Sequence, residues 1–400
     1  QTTGQTTLPM PPLDPSAAST SNKERIYLLE SAVITWSKQI RQVLKEDPEV
    51  LLKQGHPTPD VEVAFWMNKA QNLNSIFKQL QSEKLRKVLV FLDQSKSTYC
   101  SPFAKLCKDV FSARIEANDN VKYLSTLEDY FDQLTGSTPF GELHKVFGPI
   151  MHTILLIWKH SQHYNTAPRL VVLMREICNA IIQQALAFIS GAQIFEMIEN
   201  EETASAVESL STTLKVVNAF KSTYFDYKAK SNVDCPDKPW RIQNNALFLR
   251  LDQFLERCHD IKDFCSTILQ FSKLQRIEIG GTKGKTLTSS AQQIHAGFQR
   301  AVDSFREVQY DIMDVSAKAF DDDFYEFRLK IKELERRLGS VITQAFDDSA
   351  TIYAQFNLLD SFEGLLDRPI INDELEKKHS VLIRAYAKDL ALVGDIFLQE

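Results

Sequence analysis

Residues 320–345 read FDDDFYEFRLKIKELERRLGSVITQA, and apolar side chains recur through this stretch at alternating steps of four and three residues. The apolar positions are Phe320, Phe324, Phe327, Ile331, Leu334, Leu338, Val341 and Ala345. This spacing places them along one face of an α-helix. A second run with the same spacing consists of Leu247, Leu251, Phe254, Cys258, Ile261, Cys265 and Ile268. Each run lasts about three heptads, which is short for a coiled coil and favours antiparallel helices packed in bundles.

Charged residues indicate where the first of these helices begins and ends. Asp321–Asp323 stand at its start, and acidic side chains are favourable near a helix N-terminus. Arg336 and Arg337 would complement the opposite end of the helix dipole. We therefore expect this helix to close near the two arginines.

The composition supports long helices with few connections. Glycine and proline together make up 27 of the 400 residues, about 7%, whereas ~12% is usual. Sandwiches and α/β enzymes need many tight turns, and turns consume these two residues. The predicted class is therefore all-α, as an elongated rod of consecutive antiparallel helical bundles.

Charge and cysteine content limit the function classes. The net charge of −6 gives no electrostatic reason to expect nucleic acid or an anionic membrane as a partner. Six cysteines in 400 residues are too sparse for a disulfide scaffold and indicate a reducing compartment. The N-terminus has no apolar core typical of a secretory signal, and the longest uninterrupted apolar run is far shorter than a membrane span.

Breaks in the helical pattern divide the chain into four predicted parts. These are a flexible linker rich in proline and threonine over 1–22, and helical bundles over 23–136, 137–234 and 235–400. The clearest internal boundary is the loop that begins at Cys235. Within the bundles we expect unbroken helices over about 60–92, 149–164 and 169–198. The last of these is apolar on more than one face, so it should be the most buried.

The segment Gly280–Thr286 resembles a phosphate-binding loop. A Walker A motif has four residues between its first glycine and the Gly-Lys-Ser/Thr end, whereas three separate Gly280 from Gly284. The preceding residues, 274–279, are also a poor candidate for a buried parallel strand. A surface turn between two helices is the favoured interpretation. A nucleotide-binding enzyme that uses this segment, with Lys285 as the phosphate contact, is the less favoured alternative.

The remaining residues with potential chemistry have structural interpretations. His144, His152, His160 and His163 lack a cysteine or carboxylate nearby that would complete a zinc set. Cys258 and Cys265 occupy core positions of one helix and are expected to be buried thiols. The four tryptophans, Trp36, Trp66, Trp158 and Trp240, are expected to be core anchors. We therefore predict no catalytic, cofactor-binding or metal-binding residues, and the sequence does not assign partner-binding residues.

An ordered series of motifs resembles the N-terminal tail region of dynein heavy chains. The series runs through Leu29–Ile40, Phe65–Trp66, Asn72–Leu73, Ile157–Thr166, Val171–Asn179, Lys238–Trp240, Leu274–Gly284, Phe324–Asp348 and Leu366–Pro369. The resemblance is stronger to axonemal than to cytoplasmic heavy chains, and the outer-arm type looks nearest. Asp367 stands where the family commonly has glutamate, and Ala167-Pro168 replaces a common Pro-Ala order.

The resemblance implies a non-catalytic segment of a microtubule-motor ATPase whose ATPase modules lie further along the chain. It implies a scaffold that associates with other dynein heavy chains, binds dynein intermediate and light chains, and anchors the motor to doublet microtubules or docking proteins. It implies the axoneme of a cilium or flagellum as the location, within the cytoskeleton and cytoplasm, with no cofactor and no nucleic-acid or membrane partner. A helical tethering subunit of membrane trafficking is the alternative from another class.

Overall fold

The structure is a computed structural model that describes residues 22–48, 50 and 55–399. Over these residues it contains helices and connecting segments and no β-strand, which confirms the all-α class. The predicted linker, 1–22, lies outside the described residues except for Asn22, the first residue of a helix.

The α-helices are labelled in chain order. They are α1 (Asn22–Lys45), α2 (Pro59–Leu80), α3 (Glu83–Gln94), α4 (Cys100–Leu124), α5 (Glu128–Asp132), α6 (His144–His160), α7 (Ala167–Phe188), α8 (Gly191–Glu199), α9 (Thr203–Asp234), α10 (Asn244–Phe271), α11 (Gly284–Arg306), α12 (Ala319–Asp348), α13 (Ile352–Ser361) and α14 (Pro369–Gln399). Short 3₁₀ segments are Ser125–Leu127, Phe140–Glu142, Ser272–Arg276 and Glu363–Leu365, and Gln133–Ser137 is a π-helical turn.

The chain divides into two compact units. Unit 1 comprises Gln1–Ala185 and Lys215–Leu251, and unit 2 comprises Leu186–Leu214 and Asp252–Glu400. These bounds do not coincide with the three predicted bundles, which stay a prediction.

Two predicted helices are each divided by a serine. The helix expected over 60–92 is α2 followed by α3, because the side chain of Ser82 accepts a hydrogen bond from the Leu85 N–H, at 3.4 Å, and starts a new helix. The helix expected over 169–198 is α7 followed by α8. Ser190 and Gln193 form a reciprocal capping box at the break.

Two predicted helix ends are also wrong. The helix expected over 149–164 is α6, which begins at His144 and includes Pro149 in its interior. Helix α12 does not close near Arg336 and Arg337; it continues to Asp348, so its last turn holds two aspartates and no basic residue. The apolar spacing continues past the arginines, and packing outweighs the dipole preference of less than ~1 kcal/mol per charge.

In unit 1, α2 and α4 run antiparallel. The rings of Phe77 and Phe111 are 5.8 Å apart, and earlier on α2 the Asn74 side chain contacts Asn118, later on α4. Trp36, Trp66 and Trp240 are fully buried and Trp158 nearly so, which confirms the tryptophans as core anchors.

In unit 2, α11 and α12 run antiparallel around a row of aromatic rings. The Phe305 ring lies 5.7 Å from that of Phe320 and 6.1 Å from that of Phe324, while Gly297 lies opposite Leu334. All eight apolar positions from Phe320 to Ala345 are buried, as predicted. Each large apolar side chain buried in this way contributes ~1.5–3 kcal/mol.

Residues Ala167–Glu199 are long and apolar enough to cross a membrane by length and composition. They comprise α7 and α8, and 67% of their most apolar window is buried inside the structure, which is typical of core helices.

Candidate functional site

The glycine turn joins the short helix Ser272–Arg276 to α11. Helix α11 begins at Gly284, so Gly280–Lys283 form the turn and Lys285 lies in the first helical turn. Gly281 has a φ of +97°, a conformation that favours glycine. The Ile279 N–H donates to the hydroxyl oxygen of Thr288 at 3.0 Å, which closes the turn against the helix.

The carboxylate of Asp348 accepts hydrogen bonds from donors of this turn. Asp348 Oδ2 accepts a hydrogen bond from the Lys283 N–H at 2.8 Å, and Asp348 Oδ1 accepts one from the Thr282 hydroxyl at 2.5 Å. These hydrogen bonds, the backbone one first, hold the pKa of Asp348 below its usual value. A Cβ on Gly281 would lie 2.6 Å from Asp348 Oδ2. Since a helix N-terminus attracts anions, Asp348 fills the position that a phosphate group would need.

The aspartates at the start of α12 have partners within unit 2. Arg257, almost fully buried on α10, donates to the carbonyl oxygens of Ile312 and Asp314 at 3.1 and 2.7 Å. It also forms an ion pair with Asp321 at 3.4 Å and lies 3.8 Å above the Phe320 ring. These contacts fasten the segment before α12 to α10, in addition to the dipole effect expected from the sequence.

Tyr310 provides a second link to the aspartate triplet. Its hydroxyl donates to Asp323 Oδ2 at 2.7 Å. Together with the ion pair of Asp321, this gives two of the three aspartates a structural partner.

The histidines and cysteines do not converge. His144 contacts the Gly141 carbonyl oxygen through Nδ1 at 3.1 Å, and the His152 ring lies 6.4 Å from that of Tyr227. Cys258 and Cys265 are buried free thiols, and burial raises the pKa of each to about 12. Over the described part of the chain, no three His, Cys, Asp or Glu side chains are grouped so that they could hold a metal ion.

A pair of buried carboxyl groups was missed by the sequence reasoning. Glu62 on α2 and Glu176 on α7 are both fully inaccessible to solvent, and their side chains lie within hydrogen-bonding reach of each other. Glu62 Oε1 accepts hydrogen bonds from the Tyr164 hydroxyl at 2.8 Å and from the Trp66 indole N–H at 3.2 Å. Glu62 Oε2 and both oxygens of Glu176 receive no donor from any other residue that the structure describes.

Two carboxyl groups this close avoid the repulsion of like charges when they share a proton. Burial, followed by the charge of Glu62, raises the pKa of Glu176 to about 11, and burial also raises the pKa of Glu62. At least one of the two is therefore neutral at physiological pH. The sequence signal for the pair is Glu176 itself, a lone acid inside a helix that is apolar on more than one face.

Comparison with known proteins identifies the family. The family profile described as "Dynein heavy chain, N-terminal region 1" matches residues 26–400. The flagellar outer arm dynein beta chain of Chlamydomonas reinhardtii is 51% identical over 409 residues, which cover all of this chain and 9% of that protein. The ciliary dynein beta chain of Tripneustes gratilla is 35% identical over 99% of this chain, and the human dynein axonemal heavy chain 9 is 34% identical over 94% of it.

The chain spans about one tenth of the length of these relatives, which are 9%, 9% and 8% covered. The match to an N-terminal region agrees with the ordered motif series in the sequence. The chain belongs to the dynein heavy chain family, as an N-terminal region of the axonemal heavy chains of cilia and flagella.

Proposed function

We propose that this chain is a non-catalytic tail segment that acts as a scaffold in an axonemal dynein. In this role it associates with other dynein heavy chains, binds intermediate and light chains, and anchors the motor to doublet microtubules or docking proteins. The observation that carries the proposal is the family match over 26–400, to a region described as N-terminal.

The side chains that could carry chemistry are bound to other residues of the same chain, which supports this role. Asp348 holds the glycine turn, Arg257 fastens the start of α12, and Glu62 and Glu176 share a proton inside unit 1. A side chain that holds two helices together is positioned for stability rather than for turnover. The ATPase activity of the full-length protein would then belong to other parts of the heavy chain.

The family match argues against one alternative from another class, and the hydrogen bonds of Asp348 argue against the other. A membrane-trafficking tether would lack the ordered dynein motif series. This chain contains the series and matches the dynein family profile over residues 26–400. A nucleotide site at Gly280–Thr286 requires free donors at the N-terminus of α11, where Asp348 accepts from both Thr282 and Lys283.

Removal of residues 26–400 from a full-length heavy chain tests the scaffold role. We expect the shortened chain to retain its ATPase activity and to lose co-purification with intermediate chains and with other heavy chains. Loss of ATPase activity with assembly intact would contradict the proposal. A matched chain that lacks only residues 1–21 provides the control for a deletion in this part of the heavy chain.

A further inference from the structure

The second half of α14 has no cover within the described residues of unit 2. Helices α12 and α14 run parallel, because Gly339 lies opposite Glu374 and, later on both helices, Asp347 pairs with Lys378 at 3.1 Å. Helix α12 ends at Asp348, whereas α14 continues to Gln399. The last buried side chain on α14 is Leu382, and every residue over 386–397 is exposed.

The uncovered residues 383–397, here called the overhang, are about 22 Å long at ~1.5 Å per residue. One apolar row steps by three and four residues through Ile383, Tyr386, Leu390, Val393 and Phe397, each between 54% and 79% exposed. A regular spacing of this kind is typical of a helix face that packs against another helix.

A second apolar row lies beside the first. At 100° per residue, Leu392 and Ile396 extend the apolar surface around the helix, and they are 60% and 53% exposed. Arg384, Lys388 and Asp395 occupy one polar side, and Asp389 lies between the two apolar rows. The two apolar rows therefore lie on different sides of the helix, and a helix of this type needs neighbours on more than one side. Exposed apolar surface of this extent marks an interaction site.

The position of the two rows on different sides of the helix decides between the candidate occupants. A second copy of the overhang, paired side by side with the first, would cover the first row and leave the second row in water. A chain that supplies several successive helices can cover both rows. The family region is described as N-terminal and its relatives are about ten times longer than the stretch matched here, so a heavy chain of that length has further residues that could supply such helices.

We propose that the overhang is an internal docking surface, covered on two sides by helices formed by the residues that follow Glu400 in the longer heavy chain. The overhang then belongs to two bundles at once: its helix begins in the core of unit 2 and ends in the core of the next bundle. A continuous helix between two cores fixes their relative direction without a flexible joint. The inference rests on the geometry of α14 and on family membership, and it does not depend on the scaffold role.

Hydrogen exchange in the full-length heavy chain, purified without other subunits, tests the proposal. We expect amides across 383–397 to exchange at least a hundredfold more slowly than in an unfolded peptide of the same sequence. The variant Leu390→Asp should accelerate their exchange tenfold or more, since it places a charge on the apolar side. The matched variant Lys388→Glu, on the polar side of the same turn, should leave exchange unchanged. Unprotected exchange in the parent chain, or equal effects of the two variants, would overturn the proposal.

Crosslinking identifies the occupant. A photoreactive residue placed at Val393 of the full-length chain, in a mixture of isotopically light and heavy protein, should link within one chain to peptides beyond residue 400. Links between light and heavy chains would assign the surface to a second copy. Links that form only when intermediate or light chains are added would assign it to those subunits. Either result would overturn the proposal, and neither would bear on the deletion experiment described above.

Discussion

Replacement of Glu176 by glutamine should stabilise the protein, and increasingly so as the pH rises. In the folded protein the Glu176 carboxyl is protonated, because burial and then the neighbouring Glu62 raise its pKa to about 11. In the unfolded chain the same group ionises near its ordinary pKa of 4.5. Above pH 4.5 the unfolded state therefore releases a proton that the folded state retains, and the free energy of unfolding falls with pH.

The size of the effect follows from the pH interval. Stability falls by about 1.4 kcal/mol for each pH unit above 4.5, so this one side chain lowers the free energy of unfolding by about 3 kcal/mol at pH 7. The pKa of Glu62 is also raised, which acts in the same direction. Glutamine cannot ionise, and its amide N–H can donate to the free Oε2 of Glu62, so Glu176→Gln removes the penalty and keeps the contact.

Denaturant unfolding at pH 4.5, 6, 7 and 8 measures this difference. Tryptophan fluorescence reports the unfolding of unit 1, because all four tryptophans lie in that unit and the Trp66 indole N–H donates to Glu62. We expect equal stability of parent and variant at pH 4.5 and a gain of up to about 3 kcal/mol for the variant at pH 7. The control Asp129→Asn removes an exposed carboxylate of unit 1 and should show no such trend. A difference between Glu176→Gln and parent that does not change from pH 4.5 to 8 would refute the shared proton.

Three further experiments test the helix packing and the glycine turn. Leu334→Asp should lower the free energy of unfolding by several kcal/mol, since it buries an unpaired charge. The control Leu329→Asp, at a half-exposed position of the same helix, should change the melting temperature little. Equal melting temperatures of the two variants would mean that α12 does not pack on this face. Gly281→Ala should destabilise unit 2 by ~1–2 kcal/mol, because its Cβ would meet the turn's carboxylate at 2.6 Å with φ at +97°, while Gly280 has open space and Gly280→Ala serves as the control in the same thermal scan. Titration with labelled ATP should show no micromolar binding; such binding, if lost on Lys285→Ala, would restore the nucleotide hypothesis.

The apolar periodicity predicted the elements that depend on local pattern. The runs from Leu247 and from Phe320 are helices, because a 3.6-residue period and a one-sided core leave few other solutions. Their repeated positions are buried, except that Ile268 is partly exposed. The breaks at Ser82 and Ser190 were missed for a related reason. The apolar pattern continues through each break, so periodicity alone does not show that a new helix begins. The local signal is the capping serine, followed at Ser190 by a glutamine three residues later.

The contacts that organise the candidate sites could not be read from the sequence. Glu62 and Glu176 lie on helices far apart in the chain, and of the two only Glu176 falls within the motif series, in Val171–Asn179. Arg257 resembles any basic residue on an amphipathic helix until the carbonyl oxygens of Ile312 and Asp314 converge on it. Such contacts depend on which helices become neighbours in the folded protein, and local sequence patterns do not specify that arrangement.

The end of α12 shows how a locally unfavourable sequence becomes useful in context. Asp347 and Asp348 stand at a helix C-terminus, where the dipole opposes negative charge by up to ~1 kcal/mol at each position. Asp348 is turned onto the N-terminus of α11, where the dipole has the opposite sign, and Asp347 is paired with Lys378 of α14. The two aspartates therefore join the end of α12 to the start of α11 and to the interior of α14, at the level where α12 stops. The ion pair of Asp347 with Lys378 holds α14 just before the overhang, so unit 2 sets the direction of the uncovered helix. Under the docking proposal, the same contact also sets the direction of any bundle that packs on the overhang.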